Sequence, residues 1–372
     1  MYIENFKLIK YRNYDYIDEN FSKNFNILIG LNAQGKTNLL EAIYYLSTGK
    51  SYRPVRDNDL IKWNSNFFNI NGIFCNCIGK IQLEIIYKNT DIVNKEVRIN
   101  GIKKNKISEL LGNFTSVLFA PEDLYIIKGS PADRRRLLDN DIAQVSPVYF
   151  IKMQKYNRIL NQRNSLLRKI CKNRGSIDEL EIWNQQFIEL SKDIIQRRLK
   201  VLEKLVPLTR LMQRKLTNGE ENLEIKYLFS KKEEIKSNND IDELLNAEYE
   251  NLRKEEIIRG ITLFGPHRDD YSILLNGMNL KSFGSQGQHR TAVLAIKLAE
   301  LEFFKAETGE YPVLLLDDVL SELDKNRREH LIQTIKNKEI QCFITTTENL
   351  TVELDNSSAK RFNINQGKLI EM

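Results

Sequence analysis

Apolar residues recur along this chain at two different spacings, and the change between them falls near residue 147. Residues 1–12 (MYIENFKLIKYR) alternate between apolar and polar in the manner of a half-buried strand. Residues 25–30 (FNILIG) form an apolar run that stops at Gly30, and the segment after it has its apolar residues at helical spacing. The pattern therefore predicts a buried strand that leads through a glycine turn into a helix.

Further strands are predicted on both sides of the middle of the chain. Residues 67–99 have the pattern of short strands, and Asn100-Gly101 is a dipeptide typical of a hairpin turn. FTSVLFA (114–120), YPVLLLDD and IQCFITTT are short apolar runs of the kind found in parallel sheets. The C-terminal segment KRFNINQGKLIEM has the pattern of a strand pair.

Residues 147–215 have a different pattern, in which apolar residues lie three, four or seven positions apart. They are Tyr149, Met153, Tyr156, Leu160, Leu167 and Ile170 in a first helix, and Leu180, Trp183, Phe187, Leu190, Ile194 and Val201 in a second. Gly175 supplies a turn between the two, and the polar stretch 230–256 returns the chain through another helix. A 3.5-residue seam on two successive helices is typical of an antiparallel coiled-coil hairpin, an arm rather than a core.

These elements predict an α/β head that is built from both ends of the chain. The first part of the head is predicted over residues 1–140 and the second over 260–372, with a helical arm inserted at 141–259.

Composition is that of an ordinary globular protein, with 372 residues, 28% charged and 41% hydrophobic. No apolar run approaches the ~20 residues that cross a bilayer, and no signal peptide opens the chain. The four cysteines form no CxxC pair, and three histidines leave little scope for a histidine metal centre. We therefore expect a soluble cytoplasmic protein with reduced thiols and no membrane partner.

The net charge of +6 is unevenly distributed. Residues 141–215 hold 16 lysines and arginines against 7 aspartates and glutamates, so the rest of the chain is slightly acidic. Such an excess is typical either of an element that faces a polyanion or of a solvated helical face, and both interpretations stay open here.

The segment GLNAQGKT, residues 30–37, fits the phosphate-binding pattern G-x-x-x-x-G-K-[ST] and lies between a predicted strand and a predicted helix. In this pattern, backbone N–H groups cradle phosphate oxygens. Lys36 then reaches the β- and γ-phosphates of ATP, and the Thr37 hydroxyl binds Mg²⁺. The predicted ATP site comprises Gly30, Leu31, Asn32, Ala33, Gln34, Gly35, Lys36, Thr37 and Asn38.

A carboxylate for the metal is expected at the end of a neighbouring strand. PVLLLDD supplies Asp317 as the Mg²⁺ partner and Asp318 as the group that polarises the attacking water. The alternative is that the two carboxylates only cap the next helix. In a chain with a phosphate loop, we favour the catalytic interpretation.

A second glycine-punctuated turn begins the helix after residue 283. Ser285 occupies an N-cap position, and Gly284 and Gly287 allow a close approach to the backbone. Alone, the stretch is best explained as a well-capped helix. Beside the other two motifs, SQGQ (Ser285, Gln286, Gly287 and Gln288) resembles the signature motif of ABC-type ATPases, which meets the γ-phosphate bound to a partner subunit.

The same resemblance extends to three shorter segments. SELD (Ser321 to Asp324) is similar to the D-loop of that dimer interface, and Thr346 stands where the class has its switch histidine. At the position of the Q-loop glutamine the chain has FAPEDL, so that Pro121, Glu122 or Asp123 is near the metal.

The inserted arm is typical of the SMC-like branch, and within it the chain is most similar to the RecF family. PEDLYIIKGSPADRRRLLD, LLLDDVLSELDKNRREHL, GPHRDD and FKLIKYRNY resemble stretches of that family, except for Leu137, where an aromatic residue is usual. The resemblance spans the whole length and is thinnest over about 145–255. It implies an ABC/SMC-like P-loop ATPase head with an inserted arm.

By this resemblance we expect an ATP-dependent DNA-binding protein of recombinational repair that dimerises head to head around two nucleotides. Its partners are gapped or double-stranded DNA, RecR- and RecO-like mediator proteins and the strand-exchange recombinase. It is a weak, DNA-stimulated ATPase, slow because aspartate replaces the usual glutamate at position 318. The alternatives are the ATPase subunit of an ABC-type transporter and a scaffold that nucleotide only stabilises.

Several basic residues are candidates for DNA contact. Arg53 and Arg56 follow the phosphate-loop helix and reach either nucleotide or DNA, whereas Arg134 and Arg135 begin a helix where salt bridges are an equal alternative. The candidates on the arm are Lys152, Lys155, Arg158, Arg197 and Arg198.

Overall fold

A computed structural model of the chain describes residues 1–90, 93–230, 233–234, 241–347 and 359–372. The strands are β1 (Tyr2–Tyr11), β2 (Tyr14–Asn20), β3 (Phe25–Ile29), β4 (Phe67–Asn76), β5 (Gly79–Asn89), β6 (Val93–Ile99), β7 (Ile102–Lys104), β8 (Ser116–Phe119), β9 (Leu223–Phe229), β10 (Glu233–Glu234), β11 (Asp270–Leu275), β12 (Met278–Asn279), β13 (Val313–Leu316), β14 (Cys342–Thr346), β15 (Ala359–Asn365) and β16 (Lys368–Glu371). The α-helices are α1 (Lys36–Thr48), α2 (Tyr125–Lys128), α3 (Pro131–Val145), α4 (Pro147–Cys171), α5 (Ile177–Leu216), α6 (Ile241–Arg259), α7 (Leu280–Phe283), α8 (Gln286–Thr308), α9 (Val319–Glu322) and α10 (Lys325–Asn337). Short 3-10 turns lie at Asp57–Leu60, Ile107–Glu109 and Pro121–Leu124.

The chain forms two compact units. Unit 1 comprises Met1–Asp123 and Ile296–Met372, and unit 2 comprises Leu124–Ala295. The predicted arm, 141–259, lies inside unit 2, which also contains residues 124–140 and 260–295 that we assigned to the head.

Unit 1 contains two six-stranded sheets. One has the order β2-β1-β4-β5-β6-β7, and all of its pairs are antiparallel. The other has the order β16-β15-β3-β14-β13-β8, and its strands are parallel except for the terminal β15–β16 hairpin. The continuous apolar runs that predicted buried strands are β3, β8, β13 and β14, so that prediction is confirmed.

The core of unit 1 explains why α1 is apolar on most of its surface. One hydrophobic cluster contains side chains of both sheets and of α1, including Leu39, Leu40 and Ile43, each 0% exposed. The Asn100-Gly101 turn joins β6 to β7 with positive φ at both residues, as the hairpin dipeptide predicted.

Unit 2 holds the two predicted long helices, which are antiparallel. Arg163 of α4 bonds Asn184 of α5, and Lys152 of α4 pairs with Asp193 of α5. Residues later in α4 therefore meet residues earlier in α5. A third helix, α6, also packs on the pair and is the return helix predicted within 230–256, although 235–240 lie outside the described residues. The coiled-coil geometry of the arm stays a prediction.

The seam between these helices is not purely apolar. Arg163 is 1% exposed and donates to Asn184, Thr262 and Glu256 while its guanidinium packs over the ring of Phe187. The guanidinium of Arg163 thus joins α4 to Asn184 of α5, to Glu256 of α6 and to Thr262.

Two expectations concern what the fold lacks. Along the ranges given above, no helix has both the length and the apolarity to cross a membrane. The four cysteines are free thiols, and Cys75 and Cys342 are buried.

Candidate functional site

The phosphate loop connects β3 to α1 and is held from behind by two turns of unit 1. Asn13 Nδ2 donates to the Gln34 carbonyl at 2.8 Å, and the Tyr14 hydroxyl donates to the Gly35 carbonyl at 2.9 Å. From the β15–β16 turn, the Gln366 N–H donates to Gln34 Oε1 at 2.7 Å. Asn38 Nδ2 donates to Asn13 Oδ1 at 2.9 Å, so the start of α1 is tied to the same turn.

These contacts leave the front of the loop open. Leu31, Asn32 and Ala33 are exposed, and Ala33 has a φ of 64°. Gly30 is close-packed, because a Cβ there would lie 2.4 Å from the Ile364 carbonyl oxygen. The loop is thus rigid on one side and accessible on the other, as a phosphate cradle requires.

Lys36 lies within the loop that precedes it. Its Nζ donates to the carbonyls of Gly30 at 2.6 Å and Leu31 at 3.0 Å, and the residue is 7% exposed. Burial lowers the pKa of Lys36, while the nearby Asp318 and Asp317 raise it. The two carbonyls are neutral and do not cancel the ammonium charge, so the positive charge of Lys36 would stabilise an anion bound in the cradle.

Asp317 follows β13 and faces the end of the loop. Its Oδ1 accepts hydrogen bonds from the hydroxyls of Thr37 and Thr345, both at 2.9 Å. Burial raises the pKa of Asp317, because the ionised carboxylate is poorly solvated there. A cation beside it would stabilise the ionised form.

These residues fit a triphosphate with Mg²⁺. A buried carboxylate and a hydroxyl are the hard oxygen donors that Mg²⁺ prefers, and the ion usually takes its other ligands from phosphate and water. In the part of the chain that the structure describes, no group of three His, Cys, Asp or Glu side chains could hold a metal by itself. Thr37 and Asp317 would therefore hold the ion together with the nucleotide.

Asp318 has a strained backbone. Its φ is 54°, its N–H donates to Thr345 Oγ1 at 2.8 Å, and the Ser321 hydroxyl donates to its carbonyl at 2.6 Å. Non-glycine residues adopt the left-handed region at a cost, which is often found at functional sites. Asp318 also precedes α9, where its side chain caps no backbone N–H, although its Oδ1 accepts from the Ser321 hydroxyl at 3.2 Å.

The structure separates the alternatives at the end of β8. Asp123 accepts from the Ala120 N–H at 2.8 Å and lies 3.4 Å from Lys297, which also contacts Glu300. Glu122 is exposed, and its charge raises the pKa of Asp317. Of the residues in this segment, Glu122 is therefore our candidate for the metal environment.

Ser285 and Gln288 form a reciprocal cap at the start of α8. The Gln288 N–H donates to Ser285 Oγ at 3.2 Å, and the Ser285 N–H donates to Gln288 Oε1 at 2.9 Å. Ser285, Gln286 and Gly287 are exposed. Capping explains the helix start, and the exposed serine and glycine leave donors available to a bound anion.

The remaining interface candidates have local roles. Asp324 caps α10 by accepting from the Arg327 N–H at 3.0 Å. Thr346 is buried, and its carbonyl accepts from the Gly30 N–H at 3.3 Å. Thr345, in the same ITTT run, was not predicted to belong to the site, and its hydroxyl donates to Asp317.

Two candidates for DNA contact are buried in ion pairs, which favours the salt-bridge alternative for Arg134 and corrects the prediction for Arg198. Arg134 is 8% exposed and binds Asp270 through Nε at 2.8 Å and Nη2 at 2.9 Å. Arg198 is 1% exposed and binds Asp139 through the same two atoms, both at 2.8 Å. The Nη1 groups of Arg134 and Arg198 donate to the Gly129 and Pro266 carbonyls, so these buried guanidinium groups are not available to DNA phosphates. Both residues stabilise unit 2.

The other candidates differ in accessibility. Arg135 is half-buried and donates to the Asp269 carbonyl, so it is less available to DNA than an exposed arginine. Lys152 forms a surface ion pair with Asp193 at 2.6 Å, and Arg197 is half-buried. The exposed candidates are Arg56, Lys155 and Arg158.

A group of exposed basic residues that we did not predict lies at the turn between α4 and α5, and we call it the hairpin tip. Its members are Arg168, Lys169, Lys172 and Arg174. The turn is closed by bonds from the Asn173 N–H to the Ile170 carbonyl and from the Arg174 N–H to the Lys169 carbonyl. None of the four forms an ion pair with a residue that the structure describes. The sequence carries a signal for this group, because residues 168–174 contain four basic residues and no acidic one.

The fold and the site define a P-loop ATPase head of the ABC and SMC type. The chain matches the model of the RecF/RecN/SMC N-terminal domain over residues 2–369. It is 42% identical to the DNA replication and repair protein RecF of Halothermothrix orenii, over 99% of this chain and 98% of that protein. A structure of the recombination mediator protein RecF with ATP, described as part of the RecFOR pathway, superimposes with a TM-score of 0.91 and 38% identity, covering 100% of this chain and 97% of the other.

A more distant structure supports the fold alone. The Smc head domain of Pyrococcus furiosus, bound to a domain of ScpA, has a TM-score of 0.57 at 17% identity and covers 100% of this chain and 96% of that one.

The match to the family model and the identity to RecF proteins show that the chain belongs to the RecF family.

Proposed function

We propose that this protein is an ATP-dependent DNA-binding protein of recombinational repair and replication. The observation that carries the proposal is the Thr37–Asp317 pair beside Lys36 on an open phosphate loop, in a chain whose relatives are named for DNA replication and repair. These relatives favour repair over the transporter alternative.

Each residue of the site has a defined role in this proposal. The loop N–H groups and Lys36 bind the phosphates of ATP, and Thr37 and Asp317 hold Mg²⁺. The ion would supply positive charge to the phosphate oxygens. Asp318 orients a water for attack, and its short side chain makes turnover slow, as suits a switch rather than a metabolic enzyme.

A second copy of the chain completes the site. Ser285 and Gly287 present a second set of donors at a helix start, while one triphosphate needs only one cradle. ATP would join Lys36 of one copy to Ser285 of the other, with Ser321 and Asp324 at the same interface. Hydrolysis would remove the γ-phosphate and release the dimer.

The dimer would clamp duplex DNA near a single-strand gap. Contacts are to the phosphate backbone, from Lys155, Arg158 and the hairpin tip, because the chain carries no base-reading motif. In the cytoplasm, it would help mediator proteins of the RecR and RecO type to load the strand-exchange recombinase, and DNA would stimulate its weak ATPase activity.

The test uses two variants of the full chain. Lys36→Met removes the phosphate contact, and Ser285→Arg blocks the second copy while leaving the first cradle intact. We expect Lys36→Met to lose ATP binding, and Ser285→Arg to bind ATP but remain monomeric, measured by mass in solution. Both should lose the ATP-dependent part of binding to gapped DNA.

Two results would contradict the proposal. Full ATP-dependent DNA binding by Lys36→Met would show that the loop is only structural. A dimer of Ser285→Arg with ATP would show that the site is not shared between copies.

A further inference from the structure

A buried hydroxyl joins the two carboxylate residues that follow β13. Thr345 is 1% exposed and lies one residue before the end of β14. Its Oγ1 donates to Asp317 Oδ1 at 2.9 Å and accepts from the Asp318 N–H at 2.8 Å. The hydroxyl has one proton, and the Leu316 carbonyl, at 3.5 Å, is its weaker acceptor. A single side chain is therefore bonded to both residues of the Asp317–Asp318 pair.

Thr345 reaches these residues because of the order of the strands. β14 lies between β13, which leads to the two carboxylates, and β3, which leads to the phosphate loop. Leu316 of β13 pairs with Ile344, and Leu28 of β3 pairs with Thr345, both in parallel register. Pairing on both sides fixes the backbone of Thr345 at the end of the sheet where the loop and the carboxylates meet.

The first bond of Thr345 orients the carboxylate of Asp317. The Thr37 hydroxyl donates to the same oxygen, Oδ1, at 2.9 Å, so two hydroxyls from different elements hold one oxygen. Two donors on one oxygen restrict rotation of the carboxylate and fix the direction in which it presents itself to a cation. A carboxylate that holds a metal commonly depends on such outer partners.

The second bond of Thr345 supports a backbone conformation that is costly to adopt. Asp318 has a φ of 54°, and a non-glycine residue keeps this conformation only where its surroundings hold it. Thr345 Oγ1 binds the N–H of Asp318, and the Ser321 hydroxyl donates to its carbonyl at 2.6 Å. Without the threonine hydroxyl, the Asp318 N–H would lose this partner, and relaxation of the backbone would move the carboxylate.

A purely structural role at position 345 would be met by an apolar residue. The preceding residues of β14, Cys342, Phe343 and Ile344, are buried and apolar, and valine has nearly the shape of threonine without a hydroxyl. A buried hydroxyl is costly unless it is bonded. Both short bonds of this hydroxyl go to residues of the site, which favours a role in the site over a role in packing.

We propose that Thr345 is a positioning residue, whose single hydroxyl sets the Asp317 carboxylate for the metal and the Asp318 carboxylate for the attacking water. This inference rests on the proposed ATPase function. Removal of an outer partner of this kind typically costs about 10- to 100-fold in metal affinity or activity. Because one hydroxyl serves both carboxylates, its loss should weaken metal-dependent nucleotide binding and turnover together.

The experiment compares three variants of the full chain with the parent. Thr345→Val removes the hydroxyl and keeps the shape, and Thr345→Ser restores the hydroxyl. The matched control is Thr308→Val, because Thr308 Oγ1 also accepts from a backbone N–H, that of Glu310 at 3.4 Å, and donates to the Phe304 carbonyl at 2.8 Å. Thr308 lies before β13, at the opposite end of that strand from Asp317.

Three quantities are measured for each variant. ATP turnover gives kcat and KM, and thermal unfolding gives Tm. The affinity for an ATP analogue that resists hydrolysis is measured once in Mg²⁺ and once in EDTA, so that the contribution of the metal is read separately from catalysis.

We expect Thr345→Val to lower both kcat and the analogue affinity in Mg²⁺ about 10-fold. Its analogue affinity in EDTA should stay within about 2-fold of the parent, because Lys36 and the phosphate loop are unchanged. Thr345→Ser should recover most of both losses. Both valine variants should lower Tm, since each loses a bonded hydroxyl, but Thr308→Val should change neither kcat nor the analogue affinity.

Three results would overturn the inference. An unchanged kcat in Thr345→Val would show that the hydroxyl has no role in turnover. The same losses in Thr345→Ser as in Thr345→Val would show that the hydroxyl is not their cause. An equal fall of analogue affinity in Mg²⁺ and in EDTA would mean damage to the loop rather than to the metal position. A failure of the proposed function is different, because it appears as ATP-dependent DNA binding that survives Lys36→Met.

Discussion

At the residue scale, the phosphate loop depends on a glycine that no other residue can replace. Gly35 has a φ of +120°, and a Cβ there would lie 2.6 Å from Asn13 Nδ2 and 2.9 Å from Asn13 Oδ1. A larger residue at position 35 would therefore destabilise the protein in two ways. The positive φ is unfavourable for any L-residue, and the Cβ would clash with Asn13, which is itself bonded to the loop.

Replacing Gly35 by alanine should therefore destabilise the protein more than the same change at an open glycine. Gly79 also has a positive φ, +144°, but nothing lies within 4 Å of its would-be Cβ. We expect Gly79→Ala to cost about 1 kcal/mol of unfolding free energy and Gly35→Ala about 1–2 kcal/mol more, with loss of ATP binding. Urea unfolding of both variants measures the difference. Equal losses would mean that Asn13 moves freely.

At the element scale, the segment 265–270 (GPHRDD) joins the parts of unit 2. The Pro266 carbonyl accepts from Arg198 of α5 at 2.8 Å, His267 Nδ1 lies 2.6 Å from the Tyr156 hydroxyl of α4, and Asp270 binds Arg134 of α3. The partners of these residues all lie within unit 2. The segment 265–270 therefore bonds to α3, α4 and α5, which lie far from it in the sequence.

Asp269 in this segment should make stability depend on pH. Burial raises the pKa of Asp269 to about 6, although Arg198 and Arg135 lower it, and its oxygens accept from the Tyr227 hydroxyl and the Ser230 N–H. The folded-state pKa lies above the unfolded value of about 3.9, so the folded protein holds a proton that the unfolded chain has lost. This contribution to stability is complete below about pH 4 and is lost as the pH rises through 6.

Asp269→Asn cannot ionise, and its amide replaces the protonated carboxyl, with Oδ1 accepting from the Ser230 N–H and Nδ2 donating to the Tyr227 hydroxyl oxygen. Relative to the parent, we expect it to gain unfolding free energy between about pH 4 and pH 7, at up to about 1.4 kcal/mol per pH unit, with no further gain above. Chemical unfolding across this range checks the prediction. A constant difference between the two proteins would show that Asp269 is ionised throughout.

At the scale of the whole molecule, unit 2 buries several arginines in internal ion pairs and leaves an exposed basic group at the hairpin tip. Arg134, Arg163 and Arg198 are buried against Asp270, Glu256 and Asp139. The hairpin tip instead holds four exposed cations in seven residues. One or two cations at the end of α4 would suffice to complement its dipole, so the excess favours a polyanion partner.

Neutralising the tip should therefore weaken DNA binding in a salt-dependent way. The variant Lys169→Gln, Lys172→Gln and Arg174→Gln is compared with Lys200→Gln, Arg214→Gln and Lys215→Gln, which removes the same charge from other exposed positions of unit 2. With ATP present, the association constant K for DNA should depend less steeply on salt in the tip variant only. We expect the magnitude of the slope of log K against log salt concentration to decrease by about 2–3. Equal slopes in the two variants would exclude the tip as a contact.

The sequence by itself determined the features that depend on local pattern. The phosphate loop, the buried strands and the two long helices follow from spacing and apolar runs, because neighbouring residues decide backbone conformation and which face is buried. Only the tertiary structure decided which charges are available. Arg134 meets Asp270 and Arg198 meets Asp139 across 136 and 59 positions of sequence, and Thr345 bonds Asp317 across 28. The fate of a charged side chain depends on the partner that folding brings to it, and neither composition nor periodicity specifies that partner.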